Sequence, residues 1–201
     1  MEKKVKPKTS RQIQAEASKR KIFNTAIDLF SQYAFEDITV SDICKAAGMS
    51  VGAFYHYFKN KESILNEGFR LFDLDIEQLW QEKQPAPGCA TIEFLIHEQL
   101  RSMRDLGIMA ASQYFKNQLS NAEKYIVDKD RFFYRTILEN VQYELKQGRL
   151  AGDAGTICDD TLSQTRGIIY DWCLHNGEYD LLARGERAFM MVMAYYKTNK
   201  P

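Results

Sequence analysis

A chain of 201 residues with 45% hydrophobic and 27% charged residues can fill an ample core and is too apolar for a disordered polymer. Its longest uninterrupted apolar run, Ala188 to Tyr196, is nine residues, against the roughly 20 that a membrane-spanning helix needs. The net charge is zero, but residues 1–61 carry 11 Lys and Arg against 6 Asp and Glu, while residues 62–201 carry 16 against 21. A basic head on an acidic body is the footprint of a protein of which one end meets phosphate. Four cysteines, Cys44, Cys89, Cys158 and Cys173, form no CxxC pair, and no apolar segment follows the basic N-terminus. A cytoplasmic protein with free thiols and no signal peptide is therefore expected.

Met1 to Lys8, MEKKVKPK, reads as a basic tail with too few apolar residues to pack, either solubilising or following a DNA backbone. A helix is predicted from Ile13 to Tyr33, where Ile22, Phe23, Ala26, Ile27, Leu29, Phe30 and Tyr33 recur at helical spacing. Ala34 to Ile38 turns the chain into TVSDICKAAGMSVGAFYHYF, Thr39 to Phe58. There Thr39 and Asp42 have the spacing of a capping box, and Ile43, Ala46 and Ala47 line one face of a short helix. Gly48 stands where a left-handed residue turns the chain, and Ser50 can cap a second helix, Val51 to Tyr57. Phe54 and Phe58 share the core face of that helix, and two short helices joined by a Gly turn make a helix-turn-helix. An ordinary corner in a helical core is the plainer alternative, but it leaves Tyr55 and His56 on a solvated face without a task.

Thr39-Val40-Ser41-Asp42-Ile43, Ala46-Ala47-Gly48-Met49-Ser50 and Tyr55-His56-Tyr57-Phe58-Lys59-Asn60-Lys61-Glu62 resemble the signature of the TetR family of bacterial transcriptional regulators. The likeness runs from about Arg20 to Leu65, and the rest matches in size, helicity and layout alone. It implies an all-α homodimer that binds a pseudo-palindromic operator and releases it when a small molecule binds. It also implies DNA contacts at Thr39, Val40, Ser41, Val51, Gly52, Ala53, Tyr55, His56 and Lys61. Thr39, Ser41, Tyr55 and Lys61 suit phosphate, and His56 suits phosphate or a base edge. Where the family often has a polar or charged residue near Val51, this chain has none. Base reading is thus expected to use thymine methyls, close backbone approach and DNA shape.

A long helix from Lys61 to Lys83, capped by Asn60, repeats Leu65, Phe69, Phe72, Ile76 and Leu79 and ends at Gln84-Pro85-Ala86-Pro87-Gly88. The expected domains are 1–60, arm and helix-turn-helix, and 61–201, effector-binding and dimerisation, with 61–84 as a linking helix tilted by the effector. Five body helices are predicted near Cys89–Asp105, Ile108–Asn121, Asp128–Gln147, Asp159–His175 and Tyr179–Lys197, stopped in part by Gly148 and Gly177. The fold class is all-α, about nine helices in total. His97, Met103, Tyr114, Phe115, Tyr134 and Trp172 are candidates to line an effector pocket, since Met and aromatic walls suit an apolar guest. The resemblance places the dimer interface on the last two helices, where Leu162, Thr165, Ile168, Ile169, Trp172, Leu182, Phe189, Met190, Met193 and Tyr196 make wide apolar arcs.

No catalytic set is visible. His97-Glu98 begins an HExxH motif, but Arg101 stands where the second His belongs, and neither GxSxG nor GxxxxGK[ST] occurs. No metal, cofactor or membrane partner is expected. The expected partners are operator DNA, a second copy of the chain and an unknown small-molecule effector. The rival class is a helical protein-binding or scaffold module without DNA binding, which the basic head and the Tyr55/Lys61 pair oppose.

Overall fold

The computed structural model describes residues 9–122 and 124–198, and among them finds nine α-helices, two short 3-10 turns and no strand. The arm expected at Met1 to Lys8 lies outside the described residues. The helices are α1 (Ser10–Gln32), α2 (Val40–Ala47), α3 (Val51–Tyr57), α4 (Glu62–Lys83), α5 (Cys89–Leu106), α6 (Ile108–Ser120), α7 (Phe132–Lys146), α8 (Ala154–Leu174) and α9 (Leu181–Tyr196). The chain divides into two compact units, one up to Gly68 and one from Phe69, so the division falls inside α4. No helix of the described residues is long and apolar enough to cross a membrane.

In the N-terminal unit the apolar face of α1 (Ile22, Ala26, Phe30) packs on Ile43, Cys44 and Ala47 of α2 and on Phe54 of α3. Phe54 and Phe58, 5.6 Å apart, close this core together with Ile64 and Leu65 of the first turn of α4. The 3-10 turn Phe35–Asp37 leads into α2 and buries Phe35 against Phe30 at 4.8 Å.

In the C-terminal unit α5 is central and packs on α6, α7, α8 and α9. Its Ile92, Leu95, Ile96 and Leu100 meet Ile137 and Val141 of α7, Ile157 and Ile169 of α8, and Leu181 and Phe189 of α9 in one cluster. The entry to α5 is fastened by polar groups of α7. The Gly88 N–H donates to Asn140 Oδ1 at 2.7 Å, and the Cys89 N–H donates to Glu144 Oε1 at 2.8 Å. Arg149 grips the same carboxylate with Nε at 2.5 Å and Nη2 at 3.0 Å. These bonds hold the Glu144 carboxyl below its ordinary range, Arg149 contributing most. The end of α9 is tied back to the α7–α8 loop by a single antiparallel bridge, Leu150 with Lys197, for which the sequence carries no strand pattern.

Several helices start elsewhere than expected, each for a local reason. α1 begins at Ser10, because the Thr9 N–H and Gln12 Oε1 pair at 2.9 Å and the Gln12 N–H returns to Thr9 Oγ1. α7 waits until Phe132, because Tyr125–Val127 forms a 3-10 turn and the Asp130 N–H is drawn to Asp128 Oδ1. α8 begins at Ala154 and not near Asp159, because Asp153 accepts the Thr156 N–H at 2.9 Å and caps a full turn earlier. α9 begins at Leu181, capped by Asp180.

Candidate nucleic-acid interface

Thr39 and Asp42 build the first part of the site. The Thr39 N–H donates to Asp42 Oδ2 at 2.9 Å, its hydroxyl donates to the same oxygen at 2.5 Å, and the Asp42 N–H returns to Thr39 Oγ1 at 3.2 Å. Those bonds, the hydroxyl's first, hold the Asp42 carboxyl below the usual carboxylate range. The hydroxyl of Thr39 is therefore spent on the cap, and the first-turn amides of Val40 and Ser41 are the donors that helix geometry leaves without an intrahelical acceptor. Ser41 and Lys45 lie one turn apart on α2, and both are exposed.

Gly48 adopts φ 61° and ψ 38°, which reverses the chain within one residue while its N–H satisfies the carbonyls of Cys44 and Lys45. Lys21 Nζ lies 3.8 Å from where a Gly48 Cβ would sit, so a second cation covers this turn. The Ser50 hydroxyl accepts the Ala53 N–H at 3.1 Å and starts α3. With Phe54 fully buried, helical geometry leaves Val51, Gly52, Tyr55 and His56 exposed and Ala53 half-buried. Val51 and Tyr55 keep 45% and 57% of their surface open, high values for large side chains beside a formed core. A Cβ on Gly52 would meet only Ser50 Oγ at 3.9 Å, so this side of the helix is bare backbone. Thus α3 carries an apolar, low-relief tip formed by Val51, Gly52 and Ala53, beside two exposed aromatic polar groups.

Lys61 departs from its expected placement. Its Nζ donates to the carbonyl oxygens of Phe35 at 2.5 Å, Ile38 at 2.9 Å and Glu36 at 3.4 Å, and lies 4.4 Å from the centroid of the Phe35 ring. The family resemblance implies a phosphate contact at Lys61, whereas here its ammonium is turned to the three carbonyls of its own protein. Lys45 and Lys21 are cations beside this surface that the resemblance does not mark, and charge is the sequence signal they carry.

The six pocket candidates are spread over α5, α6, α7 and α8. Tyr114, Tyr134 and Trp172 are buried, while His97, Met103 and Phe115 are half-buried. The Tyr134 hydroxyl donates to Asp159 Oδ1 at 3.1 Å and the Trp172 indole N–H donates to the Tyr179 carbonyl at 3.2 Å, so both polar handles are occupied. Phe115 faces Tyr170, Tyr114 faces Phe69, and His97 Nδ1 lies 3.5 Å from Glu98 Oε1. Two groups not singled out in the sequence are buried without a hydrogen-bond partner, Trp80 Nε1 and Gln99 Oε1.

On α8 and α9, Leu162, Thr165, Ile168, Ile169, Trp172, Phe189 and Met193 are consumed by the protomer's own core, and Leu182 and Tyr196 are half-buried. Of the expected interface set only Met190 is exposed. The open apolar groups are Met190, Met191, Tyr195, Tyr170 and Leu174, with Met191 and Tyr195 at 72% and 82%. Two open grooves of about 370 and 430 Å³ run between α8 and α9, sharing Gln164, Ala188 and Met191.

Residues 22–67 match the sequence profile of the bacterial regulatory proteins, tetR family. A relative named probable acrEF/envCD operon repressor, from Escherichia coli K12, is 28% identical over 193 residues, covering 86% of this chain and 84% of the relative. Among solved structures, FadR of Bacillus subtilis in complex with stearoyl-CoA superposes with a TM-score of 0.68 at 18% identity, over 87% of this chain and 97% of that one. SmeT, repressor of the Stenotrophomonas maltophilia efflux pump SmeDEF, solved with triclosan, gives 0.62 at 19% identity, over 91% and 93%. At these identities the structural likeness speaks for the fold.

Proposed function

The chain belongs to the TetR family of bacterial transcriptional regulators, and from that premise we propose that it is a homodimeric repressor released from its operator by a small molecule. The observation that carries the DNA reading is the exposed, side-chain-poor tip of α3, with Lys45 exposed on α2 and Lys21 reaching the Gly48 turn. Ser41, Lys45, Tyr55 and the first-turn amides of α2 hold phosphate and fix register. Val51, Gly52 and Ala53 approach the bases, with thymine methyls and groove shape supplying the selectivity. His56 reaches a phosphate or a base edge beside them.

The exposed Met191 and Tyr195 face of α8 and α9 is where a second copy docks. Two recognition helices about one turn of DNA apart then read the two halves of the operator. The proposed domain roles follow: DNA binding up to about residue 60, effector binding and dimerisation beyond it, and α4 as the segment common to both units. Repression is supported by the named function of the Escherichia coli relative, and an effector by the triclosan and stearoyl-CoA complexes of proteins with this fold. The buried, unpaired Trp80 indole N–H and Gln99 amide oxygen are groups that a bound effector would satisfy. Release requires only that the effector bind the DNA-incompetent arrangement more tightly than the competent one.

The test is a gel shift on the DNA upstream of the protein's own gene, repeated over a salt series. Binding that weakens by about 0.9 log units per log unit of salt for each phosphate neutralised supports the reading. A flat salt dependence, or no shift, favours a helical protein-binding module.

A further inference from the structure

Lys61 occupies a position at which the family resemblance implies a DNA contact, yet its ammonium faces the protein. We propose that Lys61 is a positioning residue: it locks the turn that delivers α2, and thereby sets where Ser41 and the first-turn amides meet phosphate. This role rests on the DNA-binding function proposed above.

A lysine ammonium has three N–H donors and no acceptor. Here three carbonyls converge on it, those of Phe35, Glu36 and Ile38; the Phe35 oxygen also accepts the Ile38 N–H that closes the 3-10 turn. The Phe35 ring adds a cation–π contact at 4.4 Å from beneath. Ile38 is the residue directly before Thr39, and Thr39 is fixed in turn to Asp42 by its N–H and its hydroxyl. A continuous series of fastened groups thus runs from the start of α4, through Ile38 and Thr39, to the first turn of α2. The ammonium can serve a phosphate only by abandoning a carbonyl. The bond to Glu36, the longest, is the one it would give up, and the experiment separates that arrangement from this one.

Arginine would keep the charge, but its planar fork cannot converge three donors on one point as an ammonium does. Lys61→Met keeps the stem and removes both charge and donors. Operator affinity of the full-length protein is measured against salt for the wild type, Lys61→Met and Lys61→Arg, with melting curves to confirm that all three are folded at the assay temperature. A positioning role predicts that both variants lose affinity, on the order of tenfold, with the wild-type salt slope retained. It also predicts that Ser41→Ala, costly in the wild type, costs far less in the Lys61→Met background, because Ser41 is already misplaced. General destabilisation leaves that coupling at zero. In the DNA-free protein, amide exchange at Ile38 and Thr39 should rise in Lys61→Met. The proposal is overturned if Lys61→Arg binds like the wild type while Lys61→Met loses about 0.9 of slope per protomer, the mark of a phosphate ligand. It is equally overturned if the exchange rates do not move. A wild type that binds no DNA overturns the function itself, and that outcome is read before any variant is made.

Discussion

Two glycines on the last two helices should respond to the same substitution with opposite sign. A Cβ on Gly185 of α9 would lie 2.2 Å from Leu100 Cδ1 and 3.2 Å from its Cγ and Cδ2. Leu100 is fully buried at the centre of α5, so its methyl has no solvent to swing into. Gly185→Ala gains about 1 kcal/mol of helix propensity and loses about 1–3 kcal/mol to overpacking. The expected net is a loss of about 1 kcal/mol, or a fall in Tm of about 2–4 °C for a chain of this size. Gly167 of α8 has nothing within 4 Å of the same atom, so Gly167→Ala should gain about 1 kcal/mol and melt about 2–4 °C higher. Both tryptophans, Trp80 and Trp172, lie in the C-terminal unit, so their fluorescence follows the unfolding of that unit alone. Gly167 also borders the groove between α8 and α9, so the gain should fade with rising protein concentration as the new methyl intrudes on a docked copy. A Gly185→Ala protein that melts at or above the wild type refutes the close α5–α9 approach on which the argument stands.

Met191→Asp and Tyr195→Asp should give folded monomers in light scattering and lose operator affinity, whereas Trp172→Asp, buried in its own protomer, should unfold the C-terminal unit. A dimeric, DNA-competent Met191→Asp protein would move the interface off this face. Tyr55→Phe should cost about 1 kcal/mol, equally for all half-sites in a randomised library, while Ala53→Arg shifts base preference towards guanine and Gly52→Leu weakens binding most. A changed base profile for Tyr55→Phe would reverse the roles of Tyr55 and Ala53. The Glu144 carboxyl titrates below the ordinary 4.5, so its contribution is complete above that pH and lost as pH falls through the folded value. Glu144→Gln should therefore cost about 1 kcal/mol at neutral pH, the exposed Arg149 limiting the loss, and show a shallower acid limb in melting experiments. An unchanged acid limb would show that Glu144 is not among the groups responsible.

The helix-turn-helix was legible because its signals are local: the Thr39 and Ser50 caps, the Gly48 turn and the Phe54/Phe58 spacing each act within four residues. Helix starts that depend on Asp153 and Thr156, or on Thr9 and Gln12, are equally local, but the apolar rhythm that marks those helices begins only a turn later. What periodicity could not supply is the partner of an apolar face. Trp172 and Phe189 have the spacing of an interface and are taken up by the core of their own protomer, while the exposed Met191 and Tyr195 sit in the same nine-residue apolar run as Phe189. The direction of Lys61 is not local at all, since the carbonyls it binds lie 23 to 26 residues earlier in the chain.

The fastening at Gly88 constrains how this protein can change over evolutionary time. A Cβ at residue 88 would fall 1.7 Å from Glu144 Oε1, and the backbone there has φ 92°. Residue 88 is therefore closed to substitution by its backbone as well as by Glu144, and Glu144 cannot leave without releasing Arg149 and the Cys89 amide. Lineages that vary at one of Gly88, Asn140, Glu144 and Arg149 should vary at the others, and in a fixed order, the carboxylate before the glycine. On the exposed face of α8 and α9 any such constraint would come from a docked copy and not from a lock within the chain, so change there should be matched across the two protomers.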